Sequence, residues 1–253
     1  MADARMQEPV ATVAAPLGRH ARLDALRGAA MVWMAAFHLC FDLNHFGWLS
    51  PRQDFYGDAF WTTQRTAIVS LFLFVAGFSQ AVAAQAGQDG RRFWRRWAQV
   101  AGCAVLVSLG SMLMFPKSWI SFGVLHGIAV MLVLLRLAAP LGKGLWLIGA
   151  VALLLPMLVQ HPVFDSRWTN GLGLVTRKPV TEDYVPVLPW LAAMAWGCAA
   201  ARLVLAHAPG WLTGALPRAL HPLSALGRWP LTFYMLHQPV LIGLVGGATL
   251  LAR

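Results

Sequence analysis

Five short segments carry ionisable side chains inside otherwise apolar sequence. The first runs from Asp24 and Arg27 to His38 and Asp42. On a helix, at about 100° per residue, Arg27 and His38 share a face, separated by about 16 Å of rise. Asp24 pairs with Arg27 at i,i+3, and His38 with Asp42 at i,i+4. A carboxylate beside a histidine fixes its tautomer and raises its basicity, which suits a general base. A satisfied His–Asp pair that only packs helices is the plainer reading. Inside a membrane, ionisable groups point to function.

The second segment begins with Arg65, which either snorkels to an interface or holds an anionic or carbonyl oxygen. The third is Gly123-Val124-Leu125-His126-Gly127. Its small-xxx-small spacing lets a neighbouring helix approach, and places His126 against protein, as a packing bond or an oxyanion partner. The fourth is Glu182-Asp183-Tyr184, where acids at a helix start already have a macrodipole reason to be present. The fifth runs from Arg228 through Tyr234, His237, Gln238 and Pro239. Pro239 leaves the Met235 carbonyl without its helical partner, and polar groups around such a proline line cavities.

Together these residues describe a polar chamber. His38 and His237 lie at mid-depth, and Asp42, Arg65, His126 and Asp183 toward the outside. The catalytic candidates are His38, Asp42, His126 and His237. The binding candidates are Asp24, Arg27, Arg65, Asp183, Tyr184, Arg228, Tyr234 and Gln238. Cys40, Cys103 and Cys198 form no CxxC pair and no metal-ligand spacing, so no metal is expected.

The elements that position these groups must be membrane helices. Of 253 residues, 58% are hydrophobic and 12% charged, against about 45–50% and about 25% in soluble domains. Each span needs roughly 20 mostly apolar residues. The apolar runs fall at about 22–46, 60–86, 93–114, 119–139, 144–160, 184–206 and 227–251. The expected fold class is all-α: a polytopic transmembrane bundle of about seven spans forming a single domain over 22–253, after a cytoplasmic tail at 1–21. Residues 1–18 hold no apolar h-region, so no cleavable signal peptide is expected.

Thirteen of the 20 Lys and Arg fall in the inner segments if the N-terminus is cytoplasmic, against seven outside. The strongest anchor is Arg91-Arg92-Phe93-Trp94-Arg95-Arg96-Trp97. Seven spans then put the C-terminus in the periplasm. The net charge of +10 comes from loop residues rather than one soluble face, so nucleic acid is excluded as a partner. No transporter-type internal repeat is evident.

These motifs carry a resemblance. Arg22-Leu23-Asp24-Ala25-Leu26-Arg27-Gly28, followed by His38 and Asp42, resembles the opening of bacterial members of the heparan-α-glucosaminide N-acetyltransferase catalytic family. Ser70–Ser79, Gly123–His126, Asp183–Trp190 and Leu226-Gly227-Arg228 through His237-Gln238-Pro239 extend the likeness over nearly the whole chain from Arg22. The resemblance implies acyl transfer across a membrane, from cytoplasmic acyl-CoA (acetyl-CoA) to a glycan or other envelope acceptor, in a bacterial inner membrane. Arg27 would help receive the anionic donor, and His38 would be the base or transient acyl carrier. There is one departure. The lysosomal branch has a proposed active histidine in the loop before the second helix, whereas Tyr56-Gly57-Asp58-Ala59-Phe60 here contains none.

The expected function is therefore membrane acyl transfer, with acyl-CoA, a glycan acceptor and the lipid bilayer as partners; a homodimer is compatible with it. The alternatives are a proton-coupled transporter, using the same His and carboxylate stripe as a relay, and a non-catalytic assembly protein.

Overall fold

A computed structural model describes residues 20–252. The first 19 residues, including Arg5 and Arg19 of the charge count and most of the expected tail, lie outside the described residues, as does Arg253. The described residues are all-helical, without strands. They form α1 (Ala21–His45), α2 (Ala59–Gln85), α3 (Gly90–Met114), α4 (Val124–Ala138), α5 (Gly144–Leu158), α6 (Val187–His207), α7 (Gly210–Thr213), α8 (His221–Leu226) and α9 (Pro230–Leu251).

Six of these are long and apolar enough to cross a membrane: α1, α2, α3, α4 with its short extension to Leu141, α6 and α9. The fifth expected span, at 144–160, is α5, which is apolar but has only 15 residues, a rise of about 22 Å. Large apolar side chains stay exposed on α3, α5 and α9, among them Leu113, Leu147 and Leu244. They suit hydrocarbon rather than water. The chain is a multi-pass membrane protein.

Contacts at the two ends fix helix directions. At the face where α1 begins, here termed basal, Arg27 donates to the Gly227 carbonyl just before α9 (2.9 Å). At the apical face, Trp48 beyond α1 donates to Thr249 of α9 (2.8 Å). So α9 runs parallel to α1.

The core is built on close helix approach. A side chain on Gly77 of α2 would strike the Met194 carbonyl of α6, and one on Gly197 of α6 would strike the Phe74 carbonyl of α2. These reciprocal glycines bring the two backbones together, as small residues do in membrane bundles. The Cys198 thiol closes the contact by donating to the Gly77 carbonyl (3.0 Å). Leu73, Met131 and Met194 are fully buried around this seam. Similarly, Gly28 of α1 lies against the Leu223 carbonyl of α8, and Gly227 against the Asp24 carbonyl.

The fourth helix starts at Val124, not near 119. The Ile120 N–H donates to Ser111 Oγ (3.0 Å), and the Ile120 carbonyl accepts from Ser108 Oγ (2.6 Å). Two α3 serines thus hold the preceding stretch out of the helix, and apolar patterning does not reveal that.

Candidate functional site

The site is built where the apical half of α1 meets the middle of α9. His38 and His237 face each other with ring centroids 5.1 Å apart. His237 Nδ1 lies 2.7 Å from the Tyr234 carbonyl oxygen. A carbonyl only accepts, so in the neutral ring Nδ1 carries the proton and Nε2 presents its lone pair. Nε2 is buried and has no hydrogen-bond partner among the described residues. Phe233 stacks on the same ring (5.8 Å), and Phe37 meets His38 edge-on (5.8 Å).

Asp42 is buried, but its partner differs from the expected one. Both carboxylate oxygens accept from Gln238 Nε2, at 3.0 and 3.2 Å. The i,i+4 pair with His38 is not formed: the His38 ring turns to α9 and meets His237 instead. Gln238 therefore links α9 to α1 beside the histidine pair. Its Oε1 is a second buried atom without a hydrogen-bond partner. Two uncompensated polar atoms thus lie on adjacent residues beside the histidine pair among the described residues.

On the other side Tyr234 donates to Asp183 Oδ2 (3.4 Å), which also accepts from the Val124 N–H at the start of α4 (2.7 Å). The Asp183 carboxyl thus ties α9, α4 and the segment before α6 together. Burial holds it above the usual carboxylate range, against the opposing effects of these hydrogen bonds and the Arg65 charge. Arg65 thus lies within electrostatic reach of the site from α2. A carboxyl raised in the fold contributes stability that is present below its unfolded pKa and is lost as pH rises through the folded value. Asp183→Asn keeps an acceptor for Val124 and removes that pH dependence. Asp183→Ala removes the cap and costs about 1–2 kcal/mol. Thermal melting of the two variants across pH checks both statements.

Other expected members have different employment. His126 accepts from the Gly123 N–H at Nδ1 (3.2 Å) and pairs through Nε2 with Ser108 (3.1 Å). Both ring nitrogens are spent on the α4 start and on α3, so His126 does not join the histidine pair. The Gly123–Gly127 spacing receives the 183–185 segment, since side chains there would meet Asp183 and the Val185 carbonyl, rather than a neighbouring helix. Tyr184 points away and donates to the Asn170 carbonyl (2.8 Å) in the apical loop.

Arg27 lies at the basal end, where it pairs with Asp24 (2.6 Å) and donates to Ser79 Oγ (2.8 Å) and to Gly227. It binds α1, α2 and the α8–α9 link together. Arg228 is exposed at the same face.

Sequence reasoning missed the Asp42–Gln238 link. The signal was present, since Gln238 precedes Pro239, but a side-chain pair 196 positions apart needs the fold to be seen. It also missed the basal residues Gln80, Arg136 and Arg202, which line a cavity between α2, α4, α5 and α6. The two arginines enter the sequence reading only through the charge asymmetry.

No curated protein matches the chain, and no solved structure does. The family model for heparan-alpha-glucosaminide N-acetyltransferase, catalytic, matches residues 19–239, a stretch that holds every candidate site residue. Through that match the chain belongs to the heparan-α-glucosaminide N-acetyltransferase catalytic family, a family of membrane acetyltransferases.

Proposed function

We propose that this protein moves an acetyl group from acetyl-CoA, supplied at the basal face, to an amine or hydroxyl of an envelope glycan at the apical face. The single observation carrying this is the His237 ring, with Nδ1 bonded to the Tyr234 carbonyl and a buried, unpartnered Nε2 beside His38.

The excess of Lys and Arg in basal segments orients that face to the cytoplasm. On this reading the membrane is the inner membrane of a bacterium, as the resemblance to bacterial members implies. The acceptor N–H or O–H gives its proton to His237 Nε2 as its nitrogen or oxygen attacks the thioester carbonyl carbon. The C–S bond breaks, and His237 returns the proton to the departing sulfur, giving the acetylated acceptor and free CoA. His38 packs the ring in place and is a donor toward the carbonyl oxygen in the transition state. Asp42 orients Gln238, whose amide oxygen accepts from the acceptor's polar hydrogen. Arg65 supplies positive potential from the apical side toward the developing oxyanion.

The test is purified protein with radiolabelled acetyl-CoA and a panel of amino-sugar oligosaccharides. Label on the glycan, lost in His38→Ala, is the expected result. No transfer and no acetyl-CoA binding, with His38→Ala indistinguishable from wild type, would overturn the reading.

A further inference from the structure

A cavity lies away from the histidine pair. It measures about 500 Å³ and opens between the basal ends of α2, α4, α5 and α6; its walls include Gln80, Gln85, Leu135, Arg136, Leu145 and Arg202. No carboxylate among the described residues lines it. Among the described residues, neither Arg136 nor Arg202 is in a salt bridge.

Each guanidinium is nevertheless held. Arg202 donates through Nη2 to the Ala139 carbonyl (2.6 Å). Arg136 lies over the Phe93 ring, 4.2 Å from its centroid. These contacts fix the planes and leave further N–H groups on both side chains. Gln80 donates from Nε2 to the Leu132 carbonyl (3.0 Å). Its Oε1 is buried without a hydrogen-bond partner among the described residues.

Simple snorkelling explains an arginine reaching for water at a membrane face. It does not explain two fixed guanidinium groups around one cavity together with a buried orphan acceptor. Cations in a protein-lined cavity without a counter-charge call for an anion. Paired guanidinium groups select phosphate by charge and by their fork geometry. The Gln80 oxygen adds a demand for an N–H or O–H on the same ligand.

We propose that this basal cavity is a binding site for a phosphate ester, held by Arg136 and Arg202, with Gln80 accepting from an N–H or O–H of that molecule. The chemistry is shared by two sources: the nucleotide end of a coenzyme A ester and the headgroup of phosphatidylglycerol. The site does not depend on the acetyl-transfer reading.

The experiment measures the affinity of detergent-purified full-length protein for coenzyme A and for a short-chain phosphatidylglycerol, from the dose dependence of the melting temperature. Arg136→Gln/Arg202→Gln is compared with Arg95→Gln/Arg96→Gln, which removes equal charge from exposed positions of α3. The expected result is a loss of about tenfold or more in affinity for one probe in the first variant only. Loss for coenzyme A assigns the nucleotide source, and loss for the lipid assigns the headgroup. Binding of neither probe, or equal weakening in both variants, overturns the proposal. If the first variant is not monodisperse, Ala84→Phe decides: it adds a ring to the cavity wall from an exposed position of α2. Unchanged affinity in that variant overturns the proposal. Acetyl transfer with an unaltered KM for acetyl-CoA in these variants, and no lipid binding, removes this site while leaving the acetyl-transfer reading intact.

Discussion

His237→Phe lowers the turnover of acetyl transfer by about 10²–10⁴-fold, the range expected when a general base is removed. The KM for acetyl-CoA stays close to that of wild type, because the base acts only in the transition state. The melting temperature also changes little. Phenylalanine keeps the aromatic body that packs against Phe233 and His38. It deletes Nε2, which has no partner to lose. The Nδ1 contact that disappears is to Tyr234 within the same helix, so no link between helices is broken. Steady-state kinetics with a melting curve on the same preparation check this. A rate within about threefold of wild type places the base on another residue.

Arg27→Met has the largest expected effect on stability. Arg27 ties together three partners, Asp24, Ser79 and Gly227, and with them the elements that carry them. Asp24 is only 8% exposed. Removing the cation leaves that carboxylate buried and unpaired, at a cost of about 3–5 kcal/mol. Asp24→Asn/Arg27→Met removes the stranded charge as well and recovers part of the loss, as coupled neighbours do. The pair is measured by melting temperature in one detergent, with both single variants alongside. An Arg27→Met protein as stable as wild type contradicts the tie.

The helices were largely legible in the sequence because hydropathy and loop chemistry act locally. The first and last helices begin and end within a few residues of the apolar limits at 22–46 and 227–251, and Asp89 capping the Arg91 N–H explains why α3 starts three residues early. What the sequence could not show was partner choice. At i,i+4 the His38–Asp42 pair is as good as any helix offers. Yet the arrival of α9 gives Asp42 a buried amide donor and gives His38 a second imidazole. The same holds at His126, whose capping of α4 depends on the path of residues 115–123 beneath α3. His38, Asp42, Tyr234, His237 and Gln238 did converge, because each sits at a matching depth on parallel α1 and α9. Tyr184 did not, since one residue's difference from Asp183 turns its side chain into the apical loop.

The most direct test of transmembrane acetyl transfer is a sided reconstitution. Proteoliposomes are sorted so that the basal face is outward, with an amino-sugar acceptor trapped inside and radiolabelled acetyl-CoA added outside. The prediction is label on the trapped glycan, dependent on His237, while the acetyl-CoA itself remains outside. Label only when donor and acceptor share one side, or proton flux with no acetylated glycan, would contradict it.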